Sequence, residues 1–271
     1  MKAQYKLKIP VIGLGTYKLL GATCVKVVKE ALDIGYRHFD TAQVYENHKA
    51  VAEGLQGFDR STLFITSKLA LEQVDDDRIT QSVTEACDLA LKELKTDYLD
   101  LYLIHWPDHQ RPMVKILEAM QGLKKTGKVR HVGVSNYTIH HLQDALDAKL
   151  AIECNQVEFH PYLYQKELLE FCNRHQICLC AYRPFGQGKL LEDEPLFAKI
   201  GKKYGKSAAQ VILRWCIQKN IPVIPKSSSK KRLAENFAIF DFSLSQKEMQ
   251  LLDELNKNYR YCVPECEDFD Y

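Results

Sequence analysis

Four side chains spread over one third of the sequence form a set that could do chemistry together: Asp40, Tyr45, Lys68 and His105. They sit in the runs Phe39-Asp40-Thr41-Ala42-Gln43-Val44-Tyr45, Thr66-Ser67-Lys68-Leu69 and Leu103-Ile104-His105-Trp106. Each polar residue lies at or just past the end of an apolar run that reads as a buried strand. A parallel sheet gathers such ends at one rim. A carboxylate, a phenol, an ammonium and an imidazole meeting there would make a proton-donating site for a carbonyl. Addition of hydride to C=O builds negative charge on oxygen, so the chemistry needs an acid and an electrostatic clamp. Tyr45 is the expected acid. A free phenol titrates near about 10 and burial alone would push it higher, but an adjacent Lys68 ammonium is expected to bring it down towards working pH. Asp40 would hold that ammonium by a charge-assisted bond. His105 would donate to the substrate oxygen as neutral imidazole. Taken singly, each has a plainer reading: a packed rim aromatic, a solvated lysine, a cap and a core histidine. Their joint placement favours the catalytic reading.

Positioning these groups takes a sheet. Eight apolar runs, at 9–15, 36–42, 63–69, 98–106, 129–135, 152–159, 177–182 and 221–226, alternate with amphipathic stretches. The runs lack clean two-residue alternation, as strands covered on both faces do. Between them, Ile79, Val83, Ala86, Ala90 and Leu94 keep helical spacing after an acidic start, Asp75 to Asp77. Ser207 with Gln210, and Ser245 with Glu248, read as capping boxes. Eight β-then-α units in this length predict an α/β fold, a (β/α)8 TIM barrel, with residues 1–271 as one domain. An open doubly wound sheet is the competitor. It would place a glycine fingerprint after the first strand, but Gly13-Leu14-Gly15 has no third glycine in place and reads as a tight turn.

The chain has 271 residues, 46% hydrophobic and 27% charged, with net charge +2, all ordinary for a soluble globular protein. The densest cationic stretch, Lys226 to Arg232, is too short for a nucleic-acid face. The acidic tail from Glu265 would not favour an anionic membrane. No apolar segment is long enough to span a bilayer and none forms a signal core, so a cytoplasmic location is expected. Nine cysteines, mostly inside apolar runs, read as reduced buried thiols. Neither Cys178-Leu-Cys180 nor Cys262 to Cys266 has zinc-site spacing, so no metal is expected. No coiled-coil pattern appears, and a monomer is expected.

At these residues the sequence resembles the aldo-keto reductases, nearly end to end. The matching segments include Ile12-Gly13-Leu14-Gly15-Thr16, Asp40-Thr41-Ala42 with Tyr45-Glu46-Asn47, Ser67-Lys68-Leu69 and Leu103 to Pro107. They continue with Gly133-Val134-Ser135-Asn136, Asn155 to Glu158, Ala181 to Pro184, Ile224 to Ser227, and Arg232 with Glu235-Asn236. The short amino terminus is most similar to bacterial members that reduce 2,5-diketo-D-gluconate or methylglyoxal. The resemblance implies NADPH extended across the carboxyl-terminal rim of the barrel and reduction of a small-molecule aldehyde, dicarbonyl or keto-sugar. Ser135, Asn136 and Gln156 would bind the nicotinamide carboxamide, and Tyr182 would stack on the ring. Lys226, Ser227 and Arg232 would take the 2′-phosphate, and Glu235 and Asn236 the adenine. Gly15, Thr16, Asp40 and Arg183 are also implied as cofactor contacts.

Two departures from the family pattern stand out. His48 replaces a glutamate, so a local carboxylate contact is expected to be missing. Arg183 stands where a small residue is common, and would reach the pyrophosphate or crowd the loop. Tyr17 and Trp106 follow strand ends and would wall the substrate pocket. Residues 256–271, with Tyr259, Tyr261, Phe269 and Tyr271, would fold over it as a lid or pack on the barrel. The rival functions are an NADPH-holding regulatory barrel with little turnover, which the intact four-residue set opposes, and isomerase or aldolase chemistry, which the 2′-phosphate set opposes.

Overall fold

A computed structural model describes residues 7–262, 269 and 271. Cys266 and most of the acidic stretch from Glu265 lie outside the described residues. The elements run β1 (Leu14–Gly15), α1 (Gly21–Ile34), β2 (His38–Asp40), α2 (His48–Leu55), β3 (Phe64–Leu69), α3 (Ile79–Leu94), β4 (Leu99–Ile104) and α4 (Met113–Lys125). There follow β5 (Val129–Ser135), α5 (Ile139–Asp147), β6 (Cys154–Glu158), α6 (Lys166–Arg174), β7 (Cys178–Tyr182), α7 (Lys189–Asp193), α8 (Pro195–Tyr204), α9 (Ala208–Gln218), α10 (Lys230–Phe237) and α11 (Gln246–Asp253). The seven strands pair in sequence order, every pair parallel. Helices pack outside them, giving the (β/α)8 barrel class.

The eighth expected strand, 221–226, is reduced to bridges from Val223 to Ile12 and to Ala181. The cause is local. Pro222 and Pro225 flank Val223 and carry no N–H to extend a ladder. The segment still closes the barrel. Ala181 donates to the Pro222 carbonyl at 2.8 Å, Val223 to Val11 at 2.9 Å, and Gly13 to Val223 at 2.8 Å.

Successive strand residues alternate between the barrel interior and the helical layer. Phe39, Ile65, Tyr102, Val132, Val134, Val157 and Leu179 join the large outer core. Leu7, Phe64, Leu101, Leu103, Cys154, Cys178, Cys180 and Ile224 form a separate plug inside the barrel. Both faces are apolar, which is why the sequence shows no clean alternation. The predicted capping boxes at Ser207/Gln210 and Ser245/Glu248 form as expected. Among the described residues no helix is long and apolar enough to cross a membrane, and eight cysteines are free thiols.

Candidate active site

Two or four steps along a strand beyond the plug, the inner-facing side chain turns polar: Phe64 leads to Lys68, Leu101 to His105, Cys154 to Gln156, and Cys178 to Tyr182. On the neighbouring strands His38 is followed on the same face by Asp40, and Gly133 by Ser135. Pairing aligns these ends, with Asp40 opposite Thr66, Lys68 opposite Leu103, and Ser135 opposite Gln156. They open on a cavity of about 990 Å³ that runs to Lys226, Ser227 and Arg232.

Lys68 is 1% exposed and Asp40 2%, so neither charge is solvated and each must be held by the protein. Lys68 Nζ donates to Asp40 Oδ1 at 2.5 Å and to the Thr41 carbonyl at 2.8 Å. Gln156 Nε2 donates to Asp40 Oδ2 at 2.7 Å. Burial opposes the ammonium, but the Asp40 charge and the Tyr45 hydroxyl outweigh it and hold the Lys68 pKa above its ordinary value. Burial likewise pushes the Asp40 carboxyl up, against the pull of Lys68 and Gln156.

Tyr45 follows on a 3-10 turn, Gln43–Tyr45, and its ring centroid lies 5.0 Å from Lys68 Nζ. Here the expectation needs correcting. The phenol is raised, not lowered, because burial outweighs the nearby ammonium. Tyr45 therefore keeps its proton at neutral pH. His105 lies 5.7 Å from Tyr45, ring to ring, and burial with the Lys68 charge pushes it down to about 3. It is the neutral imidazole the sequence suggested. Tyr17 packs 5.1 Å from Tyr45, and Trp106 stacks 6.1 Å from His105. Both line the cavity.

Next along the rim, Tyr182 Oη donates to Asn136 Oδ1 at 2.7 Å, and Asn136 Nδ2 donates to the His105 carbonyl at 3.1 Å. Ser135 Oγ donates to the Gln156 carbonyl at 2.7 Å. Asn136 has φ 65°, a left-handed conformation that asparagine tolerates. At the far end, Ser229 caps α10, and Arg232 Nε reaches Ser227 Oγ at 3.5 Å. Glu235 and Asn236 line the same end, and Glu235 accepts from Ser207 Oγ. Gly15 also lines the cavity; a Cβ there would meet the Ile224 carbonyl at 2.8 Å, so the wall needs a glycine. Thr16 is the one expected contact that does not reach the wall. Its side chain is buried and donates to the Asp40 carbonyl at 2.9 Å.

Arg183 lines the cavity and also donates to the Tyr261 carbonyl at 3.3 Å, tying down the tail. Tyr261 and Cys262 form part of the wall. Their backbone amides donate to Glu158 at 2.8 and 2.7 Å, and His160 bonds the same carboxylate at 2.9 Å. Burial pushes Glu158 up, but these bonds outweigh it and hold it below the usual carboxylate range. Sequence reasoning missed this clamp, and with it Lys18, Val44 and Cys262 as wall residues. The available signal was Glu158 itself, a carboxylate two residues after Gln156 inside an apolar run. The His48 imidazole bonds Ser67 and the Glu93 carboxylate of α3.

The Aldo/keto reductase family model matches residues 11–257. Glyoxal reductase of Bacillus subtilis (strain 168) is 43% identical over 264 residues, 96% of this chain and 94% of that protein. A solved aldo-keto reductase from a Medee basin deep-sea metagenome library superposes with TM-score 0.90 at 36% identity, covering 97% of this chain and 96% of that one. A solved chain provisionally described as a 2,5-diketo-D-gluconic acid reductase B gives 0.91 at 37%, covering 97% and 94%. With the rim geometry, these matches place the chain in the aldo/keto reductase family, as an oxidoreductase acting on carbonyl groups.

Proposed function

We propose that the protein reduces small aldehydes, vicinal dicarbonyls or keto-sugars with NADPH, using Tyr45 as the acid. The observation that carries this is the buried Asp40–Lys68 pair beneath Tyr45 and His105, at one end of a cavity whose other end holds Lys226, Ser227 and Arg232. The residues fit the cofactor. The cavity is at the large end of the range for ligand sites. Its far end offers two cations, serine hydroxyls and the N-terminus of α10, which suits a phosphate. Bound there, NADPH would supply the hydride.

The protein's own work is to orient the carbonyl and supply a proton. Tyr45 and neutral His105 would donate to the carbonyl oxygen. As charge builds on that oxygen, the Tyr45 proton passes to it, giving the alcohol. The phenolate left behind lies beside the Lys68 ammonium, which Asp40 keeps in place, and it regains a proton from solvent. Each donor sits fixed before reaction, so little reorganisation is needed in the transition state. A monomer would be competent, since the acid, the carbonyl donors and the proposed cofactor contacts all lie on this chain.

The substrate reading rests on the aromatic walls, Tyr17 and Trp106, above donors only at the floor. Such a pocket orients a small carbonyl by its oxygen and tolerates varied side groups. A vicinal carbonyl makes the reacting carbon more electrophilic, and a relative named glyoxal reductase points the same way. The tail supports a lid: Tyr261 and Cys262 line the cavity, and Phe269 packs edge-on against Trp106 at 6.1 Å. The test is loss of NADPH absorbance with purified protein and a panel of carbonyls. Methylglyoxal should turn over with higher kcat/KM than simple unactivated ketones. A bulky ketone surpassing every small dicarbonyl would refute the substrate class, and no turnover with any carbonyl would refute the activity.

A further inference from the structure

Strand β3 has two faces, and the outer one carries an arrangement that the reaction described above does not use. Lys68 points into the barrel. Ser67, its neighbour, points out towards the helices and is fully buried. There Ser67 Oγ meets His48 Nε2 at 3.0 Å, and His48 Nδ1 meets Glu93 Oε2 at 3.2 Å. His48 opens α2 and is 2% exposed; the Glu93 side chain, on α3, is 28% exposed. The three groups form a continuous chain from solvent to the backbone that holds Lys68.

The hydrogen-bond inventory fixes the tautomer. A carboxylate only accepts, so Nδ1 carries the proton and Nε2 accepts from the Ser67 hydroxyl. On protonation Nε2 would become a donor, and the Ser67 hydroxyl would have to give up its bond to the ring and turn its proton away.

We propose that His48 is a pH-sensitive positioning residue for the Lys68–Tyr45 pair, reached by protons through Glu93. This rests on the reading of Tyr45 as the acid. The groups bonded to His48 are Glu93 from α3 and Ser67 from β3; Lys68, on the opposite face of β3, acts on it only through its charge, and Lys49 of its own helix reaches Glu93 at 3.7 Å. Burial holds the imidazole below its ordinary value, Glu93 opposes this, and the Lys68 charge adds to it. Coupling of this kind is reciprocal. If Lys68 disfavours the imidazolium, an imidazolium places a second positive charge behind Lys68. That charge favours the Tyr45 phenolate and makes the phenol a stronger acid. Reduction should then quicken as the pH falls through the His48 titration.

The experiment is the pH profile of kcat for carbonyl reduction, read beside an NMR titration of the His48 ring. Wild type should show an acid-side rise of about twofold to fivefold with the midpoint of the ring titration. His48→Gln should lack the rise. Glu93→Gln, a change at the partly exposed end, should keep the rise and move its midpoint to lower pH, because the carboxylate that favours the imidazolium is gone. Superimposable profiles for wild type and His48→Gln would overturn the proposal, as would an unmoved midpoint in Glu93→Gln. The two readings fail separately. Full activity in Tyr45→Phe would remove the acid itself, whereas an inactive Tyr45→Phe with an unchanged His48→Gln profile would remove only the role of His48.

Discussion

Inside the barrel, the lower and upper halves are built from the same strands with opposite chemistry. Below, Phe64, Leu101, Leu103, Cys154, Cys178 and Cys180 pack as an apolar plug. Above, the same inner faces carry Lys68, His105, Gln156 and Tyr182, with Asp40 alongside. The plug gains stability from burial, at roughly 25 cal/mol per Å² of apolar surface. The upper layer works against it, since each buried ion costs several kcal/mol before its partners compensate. One period-two rhythm thus serves two ends: the lower half supplies the stability that lets the upper half hold an ammonium and a carboxylate out of water.

This contrast is open to attack from either side. The largest effect is expected at the top. Tyr45→Phe removes one oxygen and little volume, so carbonyl reduction should fall by at least ~10²-fold while NADPH binding and melting temperature stay close to wild type. Turnover near wild type would break the division by putting the acid elsewhere. Still in the upper layer but remote from the carbonyl, Lys226→Ala with Arg232→Ala should weaken NADPH strongly and NADH barely. Charge-assisted bonds are worth about 1.5–3 kcal/mol each, and only NADPH has the 2′-phosphate. Equal loss for both cofactors, by titration calorimetry, would show that these cations hold something else.

The converse belongs to the plug. Leu101→Ala should cost about 2–5 kcal/mol in chemical denaturation and leave kcat within a few-fold of wild type. A large kcat loss in a folded variant would mean that the two halves are not separable. The smallest effect is expected near the foot of the barrel, at Glu153. Burial raises this carboxyl, but bonds from His131 and Lys124 outweigh it and bring it down to about 2. A carboxyl whose folded pKa is depressed contributes stability that is present above its unfolded value, near about 4.3, and is lost as the pH falls towards the folded one. Glu153→Gln should therefore flatten the fall in melting temperature between these pH values and leave activity at neutral pH alone. An unchanged acid slope would show that the contacts are not retained in solution.

Much of this layout was legible in the sequence because strand ends announce themselves. The runs ending in Asp40, Lys68 and His105 gave both the rim and its chemistry, and the cap residues Ser207 and Ser245 gave helix starts. Three things were hidden, each for a physical reason. The eighth strand read as apolar, yet Pro222 and Pro225 limit it to one bridging residue. The balance at Tyr45 turned on burial, which no spacing reveals, so the phenol moved up where its neighbour alone would have brought it down. The Glu158 clamp joins residues more than a hundred positions apart, and no local pattern links Glu158 to the amides of Tyr261 and Cys262.

The proline-flanked closure has a consequence of its own. Around most of the barrel, adjacent strands share a ladder; between β7 and β1 the join depends on a few bonds about Val223. Those amides are the ones expected to exchange their hydrogens first, by a local opening that leaves the remaining strands paired. Lys226 and Ser227 continue directly from this seam. A ligand held there would fasten the barrel as well as occupy it, and slower exchange at Ala181, Val223 and Ile224 would report its arrival at a distance from the reacting carbonyl.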